Sequence, residues 1–197
     1  MNGLIFIWGS WILLTVFVFF LYHKINSSIV AHLLIILFLS QFYISINPIT
    51  LNGAVIYLMI IVCRYIGCLT FKNQFHVMLA SFIVALCQGS YYFFLTLEPL
   101  WFSWIPMWGS SILLLYISIL LLKDNRQRMM ALIMGMIISD LLLFIVYYRT
   151  GLSYELFSLS WLDHIAVVAL VLLIWYTIES IGNYLFDDSK HYHKKEV

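Results

Sequence analysis

The stretch Met129–Tyr148, MMALIMGMIISDLLLFIVYY, is apolar throughout except for one carboxyl group, Asp140, near its middle. About 20 helical residues cross a hydrocarbon core of about 30 Å, so this stretch reads as a transmembrane helix. A carboxyl group at its centre costs about 2.5–3.5 kcal/mol on insertion scales, which makes Asp140 a candidate functional group.

The rest of the chain has the same character. Of 197 residues 64% are hydrophobic and only 10% charged, against about 25% charged in a soluble domain. Mean hydropathy is +1.01. A net charge of +1 offers no basic stripe for phosphates, so no nucleic-acid partner is expected. The class is an integral membrane protein, with the lipid bilayer as its first partner. The N-terminus, MNGLIFIWGSWILLTVFVFFLY, lacks a basic leader and a small-residue cleavage site, so it reads as a retained spanning anchor.

Seven apolar runs are long enough to cross: Gly3–Tyr22, Ile29–Ile46, Leu51–Phe71, Phe75–Leu97, Leu100–Leu122, Met129–Tyr148 and Leu162–Leu185. Short connections such as NPIT, KNQ and KDNRQR force neighbouring helices antiparallel and leave no room for a separate soluble domain. The expected fold is therefore an all-α, polytopic bundle. Residues 1–186 form a seven-helix transmembrane domain, and residues 187–197 a short cytoplasmic tail too short to fold.

Charge placement supplies the orientation. The odd-numbered connections and the tail hold Lys24, Arg64, Lys72, Lys123, Arg126, Arg128, Lys190, Lys194 and Lys195; the even-numbered ones hold Arg149 alone. Basic residues gather on the cytoplasmic side, so the N-terminus is expected outside and the C-terminus inside. Trp8, Trp11, Trp101, Trp104, Trp108 and Trp161 then fall near the outer interface, which suits their amphipathic rings. The segment Leu97–Trp108, with Pro99, Pro106 and three tryptophans, reads as partly interfacial.

Two runs carry small residues at every fourth position, Ala131, Gly135 and Ser139 on the sixth and Ser81, Ala85 and Gly89 on the fourth. That spacing lets helix backbones approach closely, within the chain or in a homo- or hetero-oligomer. A polar residue sits beside each stripe: Gln88 next to Gly89 and Asp140 next to Ser139. Both runs cross in the same direction, and the two polar residues lie within about 3 Å of the same depth at 1.5 Å per residue. The fourth and sixth helices are therefore expected to pack, with Gln88 and Asp140 meeting near the midplane. The pair reads either as a structural hydrogen bond or as a binding site for a proton or cation.

Other polar groups carry weaker signals. Glu179 and Arg64 lie toward the cytoplasmic ends of their runs, at depths that allow pairing. Asp163 and His164 open the seventh run, where an acidic residue favours the helix dipole. Cys63, Cys68 and Cys87 have neither disulfide nor zinc spacing and read as small packing residues. No metal site and no cofactor are expected, His191 and His193 reading as solvated tail residues and the final KKEV as ordinary inside-positive charge. The zinc-protease, nucleophile-elbow and phosphate-loop motifs are absent. The seventh run lacks a Schiff-base lysine for retinal.

The opening MNGLIFIWGSWILL, the length and the succession of short-looped helices resemble the YphA-type membrane proteins of Bacillus-like endospore formers, a family without an assigned mechanism. The resemblance implies a bacterial cytoplasmic membrane and carries no catalytic residues. The expectation is a non-enzymatic integral protein in envelope maintenance or assembly. The alternative is a small transporter or proton-coupled permease using Asp140 and Gln88.

Overall fold

A computed structural model describes residues 3–19, 27–46, 49–98, 100, 107–151 and 154–193, with side chains to residue 182 except at residues 46, 49, 50 and 107. Seven helices are present among them: α1 (Leu4–Phe19), α2 (Ser27–Leu39), α3 (Gly53–Gly67), α4 (Phe71–Leu97), α5 (Met107–Leu121), α6 (Asn125–Thr150) and α7 (Leu159–His193). Three segments are long and apolar enough to cross a membrane: Phe71–Leu97, Asn125–Thr150 and Leu159–Gly182. The others have 13 to 16 residues, or about 20–24 Å at 1.5 Å per residue, short of a full hydrocarbon thickness.

Between α2 and α3 a short hairpin interrupts an otherwise all-helical chain. Tyr43–Ile46 (β1) and Ile49–Asn52 (β2) pair antiparallel, with Tyr43 opposite Asn52 and Ile46 opposite Ile49. The apolar runs ending at Ile46 and starting at Leu51 therefore overran their helices. The segment YISI…ITLN is rich in β-branched residues that suit a strand as well as a lipid-facing helix, and Pro48 disfavours a helical residue before it. A two-stranded edge is not stable in hydrocarbon, so the hairpin belongs at the interface or in water.

Asn52 ties the hairpin to both helices. Its Oδ1 accepts from Ala54 N at 2.9 Å, capping α3, and its Nδ2 donates to Ser40 O at 3.0 Å. Gly53 N donates to Phe42 O, and a Cβ on Gly53 would stand 2.9 Å from Leu39 O. The close approach requires glycine.

α4 and α6 form the most extensive helix pair. They run parallel: Val84 packs on Gly135, Gly89 faces Ser139, and Tyr147 Oη donates to Thr96 Oγ1 at 2.6 Å. The small-residue stripes meet as expected, with Ser81, Ala85, Ala131 and Ser139 all buried. α5 and α7 pack together alongside, and α1 packs on α7. The core is drawn mainly from α3 to α7, including Val62, Val84, Leu114, Met136, Leu162 and Val168, with Phe6 of α1 and Leu156 and Phe157 between α6 and α7.

Three further expectations change. α7 continues to His193, so much of the expected unfolded tail extends an existing helix, whose growth needs no new nucleus. Trp161 is buried and donates from Nε1 to Met136 O at 3.4 Å, whereas Trp8, Trp11 and Trp108 are exposed. Cys63 and Cys68 are exposed and only Cys87 is partly buried, so the first two do not pack the bundle. Trp101, Trp104 and Pro106 lie outside the described residues.

Candidate functional site

The parallel register of α4 and α6 sets Asp140 level with Gly89, beside Gln88, which is the depth match expected from helical rise. Both side chains are buried, Gln88 at 2% and Asp140 at 4% exposure. They do not bond to each other. Each turns to a different partner.

Asp140 holds the connection between α6 and α7. Its Oδ1 accepts from Tyr154 Oη, and its Oδ2 accepts from Phe157 N at 2.7 Å. The segment around Tyr154–Ser158 thus folds back into the bundle end, with Leu156 and Phe157 both buried. Phe157 has φ = 54°, a left-handed conformation that costs a non-glycine residue about 1–2 kcal/mol. The bond from its N–H to Asp140 and the edge-on packing of its ring against Trp161 hold it there. The Tyr154 ring stacks on Tyr147 at 5.1 Å. Burial, reinforced by the neighbouring Asp140, pushes the Tyr154 phenol well above its ordinary range, so at neutral pH it remains a donor.

Gln88 belongs to a second centre. Its Nε2 lies 2.7 Å from Nδ1 of His164, which also receives Tyr92 Oη at 3.2 Å; on the other edge His164 Nε2 is 3.2 Å from Ser110 Oγ. A neutral imidazole has one donor and one acceptor nitrogen. With the Gln88 amide donating to Nδ1, the ring proton sits on Nε2 and serves Ser110. His164 is completely buried, so it joins α4, α5 and α7 at one point. Gln88 Oε1 is buried without a hydrogen-bond partner, and so is Ser139 Oγ on α6.

Asp163 does not cap its own helix. Its carboxyl group accepts from Gly3 N at 2.9 Å and Phe6 N at 2.8 Å, placing an acidic group at the first turn of α1, where the helix dipole favours it. One dipeptide, Asp163-His164, therefore anchors α1 on one side and α4 and α5 on the other.

At the opposite end Glu179 pairs with Arg128, at 3.3 Å, and not with Arg64. Arg128 Nε also donates to Leu122 O at 2.8 Å, just past the end of α5, and Nη1 to Asn125 Oδ1 at 2.6 Å. One guanidinium thus clips α5, α6 and α7. Arg128→Leu is expected to cost about 2 kcal/mol: it strands Leu122 O, while Glu179, 38% exposed, regains water. Arg128→Lys should restore the charge but not the planar fork. Thermal unfolding in detergent should rank wild type above Lys and Lys above Leu. Equal melting of wild type and Lys would reduce the clip to charge alone.

Sequence reasoning missed His164, Tyr154 and Arg128. His164 stands in an apolar run, which is itself a signal; Tyr154 lies in a connection, and Arg128 stands among the basic residues that set the orientation. No group of three or more His, Cys, Asp or Glu side chains with metal-holding geometry occurs among the described residues. A cleft of about 560 Å³ lies between the hairpin and the α6–α7 connection, lined by Tyr43, Tyr154, Glu155 and Ser158 among others. A smaller apolar cavity of about 280 Å³ lies between α4 and α5 and reaches Gln88 and Ser110.

No curated protein and no solved structure matches the chain. A family model does, over residues 2–197, in agreement with the resemblance of the opening residues, and the chain belongs to the YphA-like integral membrane protein family.

Proposed function

We propose that this chain is a non-enzymatic, multi-pass protein of the bacterial cytoplasmic membrane that serves envelope maintenance or assembly as a rigid helical scaffold. The observation that supports this reading best is the double engagement of Asp140. Both of its oxygens are taken by internal donors, Tyr154 and the Phe157 amide. A carboxyl group that carries ions or protons needs an exchangeable partner, whereas this one fastens a connection to the bundle.

The N-terminus is outside in this reading and the C-terminus cytoplasmic, with the four shorter helices crossing alongside the three long ones. Alternating threading is supported by which ends meet. Gly3 reaches Asp163, and Tyr43 shares a cleft with the α6–α7 connection, while Asn125 and Arg128 meet Glu179 at the other end. The basic-residue asymmetry then chooses the direction.

Deletion of the gene should produce an envelope defect, such as altered sensitivity to wall-active or membrane-active agents. Chain carrying Asp140→Asn should complement that defect at normal abundance. An undisturbed envelope would overturn the role. Failure of Asp140→Asn at normal abundance would favour the permease alternative. A C-terminal reporter active only outside the cytoplasm should stay silent; a bright signal would reverse the orientation.

A further inference from the structure

The cleft between the hairpin and the α6–α7 connection is built from two walls that are both held in place. On one, Tyr43 is paired opposite Asn52, which is itself bonded to Ser40 O and Ala54 N. On the other, Tyr154 is fixed by its bond to Asp140 and its stacking on Tyr147, and buried Leu156 anchors the backbone beside it. Walls fixed before a ligand arrives lose little to ordering when it binds. The volume of about 560 Å³ falls in the range of about 300–1,000 Å³ usual for small-ligand sites. The lining carries one charge and a surplus of acceptors. Glu155 is exposed and makes no ion pair or hydrogen bond among the described residues. Ser158 Oγ and Ser160 Oγ bond each other at 2.7 Å, which leaves one hydroxyl proton and several lone pairs to spare. Tyr154 spends its proton on Asp140 and offers only its oxygen, whereas the Tyr43 hydroxyl both donates and accepts. No basic side chain lines the cleft among the described residues.

We propose that this cleft binds a neutral saccharide, with hydroxyl groups on the Glu155 carboxylate and on Ser158 and Ser160, and the C–H face of a sugar ring against Tyr43. The lining selects that chemistry by exclusion and by match. An anion would meet the Glu155 charge and find no counter-charge. A bare hydrocarbon chain would displace water from the carboxylate and the hydroxyls without replacing its hydrogen bonds. An ammonium group would use the carboxylate alone, and an exposed pair of that kind contributes only about 0–1 kcal/mol. A saccharide donates and accepts at every hydroxyl, so it serves the carboxylate, the serines and the tyrosine oxygens together. Its bonds to the carboxylate are the charge-assisted ones. The apolar face of its ring covers an aromatic side chain whose other end stays wet. Sugars reach such a cleft as lipid headgroups or as free glycans, and the two sources share this chemistry. The site depends neither on the envelope role nor on the direction in which the chain crosses the membrane.

The test is saturation-transfer NMR on full-length protein in polyoxyethylene-detergent micelles, which contain no sugar and leave both ends of the bundle accessible. The probes are maltose and di-N-acetylchitobiose. Ring protons of at least one should receive saturation from the protein. Glu155→Gln should raise the Kd about tenfold, the loss of one charge-assisted bond. Ser160→Trp, which fills the cleft from an exposed position, should abolish the transfer. Glu98→Gln removes an exposed carboxylate outside the cleft and should bind as the wild type does. All three variants should melt like the wild type. Diglucosyl diacylglycerol added to the micelles should displace the probe more strongly than maltotriose where the source is a lipid headgroup, and less strongly where it is a free glycan; either order supports the cleft. Transfer to neither sugar, unchanged binding by Glu155→Gln and Ser160→Trp, or displacement of the sugar by choline would overturn the proposal.

Discussion

Gly135→Leu is expected to prevent the bundle from assembling, so that little monodisperse protein is recovered from detergent-solubilised membranes. The reason lies in the α4–α6 contact. A Cβ on Gly135 would stand 2.6 Å from Val84 Cγ1 and 2.8 Å from Ser81 O. The first obstacle is a side chain that can shift slightly; the second is backbone of a neighbouring helix, which cannot move without separating the two. Even Gly135→Ala pits a clash costing about 1–3 kcal/mol against a helix-propensity gain of about 1 kcal/mol, and the clash wins. Leucine adds three more carbons to the same gap. Gly9→Leu is the control, because a Cβ there meets nothing within 4 Å. It should melt like the wild type. Normal yield and melting of Gly135→Leu would mean that α4 and α6 do not lie at this separation.

That contact was legible in the sequence for a physical reason. Helical rise and rotation are fixed, so residues four apart share a face and residues at equal distance from a membrane boundary share a depth. Ser81, Ala85, Ala131, Gly135 and Ser139 met as their spacing implied, and Asp140 came level with Gln88. What fixed geometry cannot supply is rotation of one helix against its neighbours or the path of a connection. Gln88 turns toward α7 because His164 arrives there, and the register of α7 depends on how the α6–α7 connection folds back. That connection contains Phe157 at a positive φ, a conformation with no composition signal. The hairpin Tyr43–Asn52 was hidden for another reason. Isoleucine and threonine serve a strand and a lipid-facing helix alike, so an apolar run does not declare which it is. Arg128 gives no such signal because a basic residue near a helix start is usually solvated, whereas this one turns inward to the Leu122 carbonyl just past α5.

The polar groups also share a pattern that the runs of apolar residues concealed. Asp140, Asp163 and Asn52 each accept from at least one backbone N–H group in a connection or at a helix start. All three serve donors at a chain reversal or helix end that would otherwise be unpaired next to lipid, which such groups cannot tolerate. These polar residues are thus placed by the backbone's own requirements, each reaching donors of a connection or helix start from wherever it stands in its own element. That placement is what joins a carboxyl group inside an apolar run to a structural purpose.

Asp140→Leu carries the second large expected effect. Leucine keeps the branched outline but offers no acceptor, so Phe157 N–H loses its partner where it is shielded from water and the half-buried Tyr154 Oη loses its own beside the cleft. The buried Phe157 donor left unmade costs about 1–3 kcal/mol, and the half-buried Tyr154 hydroxyl less. Phe157 also loses the bond that offsets its left-handed backbone. A loss on the order of 2–4 kcal/mol follows. Release of the α6–α7 connection is the cheaper response, since it returns both donors to water without separating the helices. The expected signature is therefore local: fast hydrogen exchange at Phe157 and its neighbours, and new chymotrypsin cleavage near Tyr154. A lower melting temperature should accompany it, while α4 and α6 keep their protection. Asp140→Asn should behave differently, because its amide oxygen accepts from Phe157 N–H and its NH₂ donates to the Tyr154 oxygen. Its loss should stay below about 1.5 kcal/mol, with the connection still protected. If Asp140→Leu left exchange at Phe157 unchanged, the carboxyl group would not be the fastening, and its burial in this helix would need another explanation.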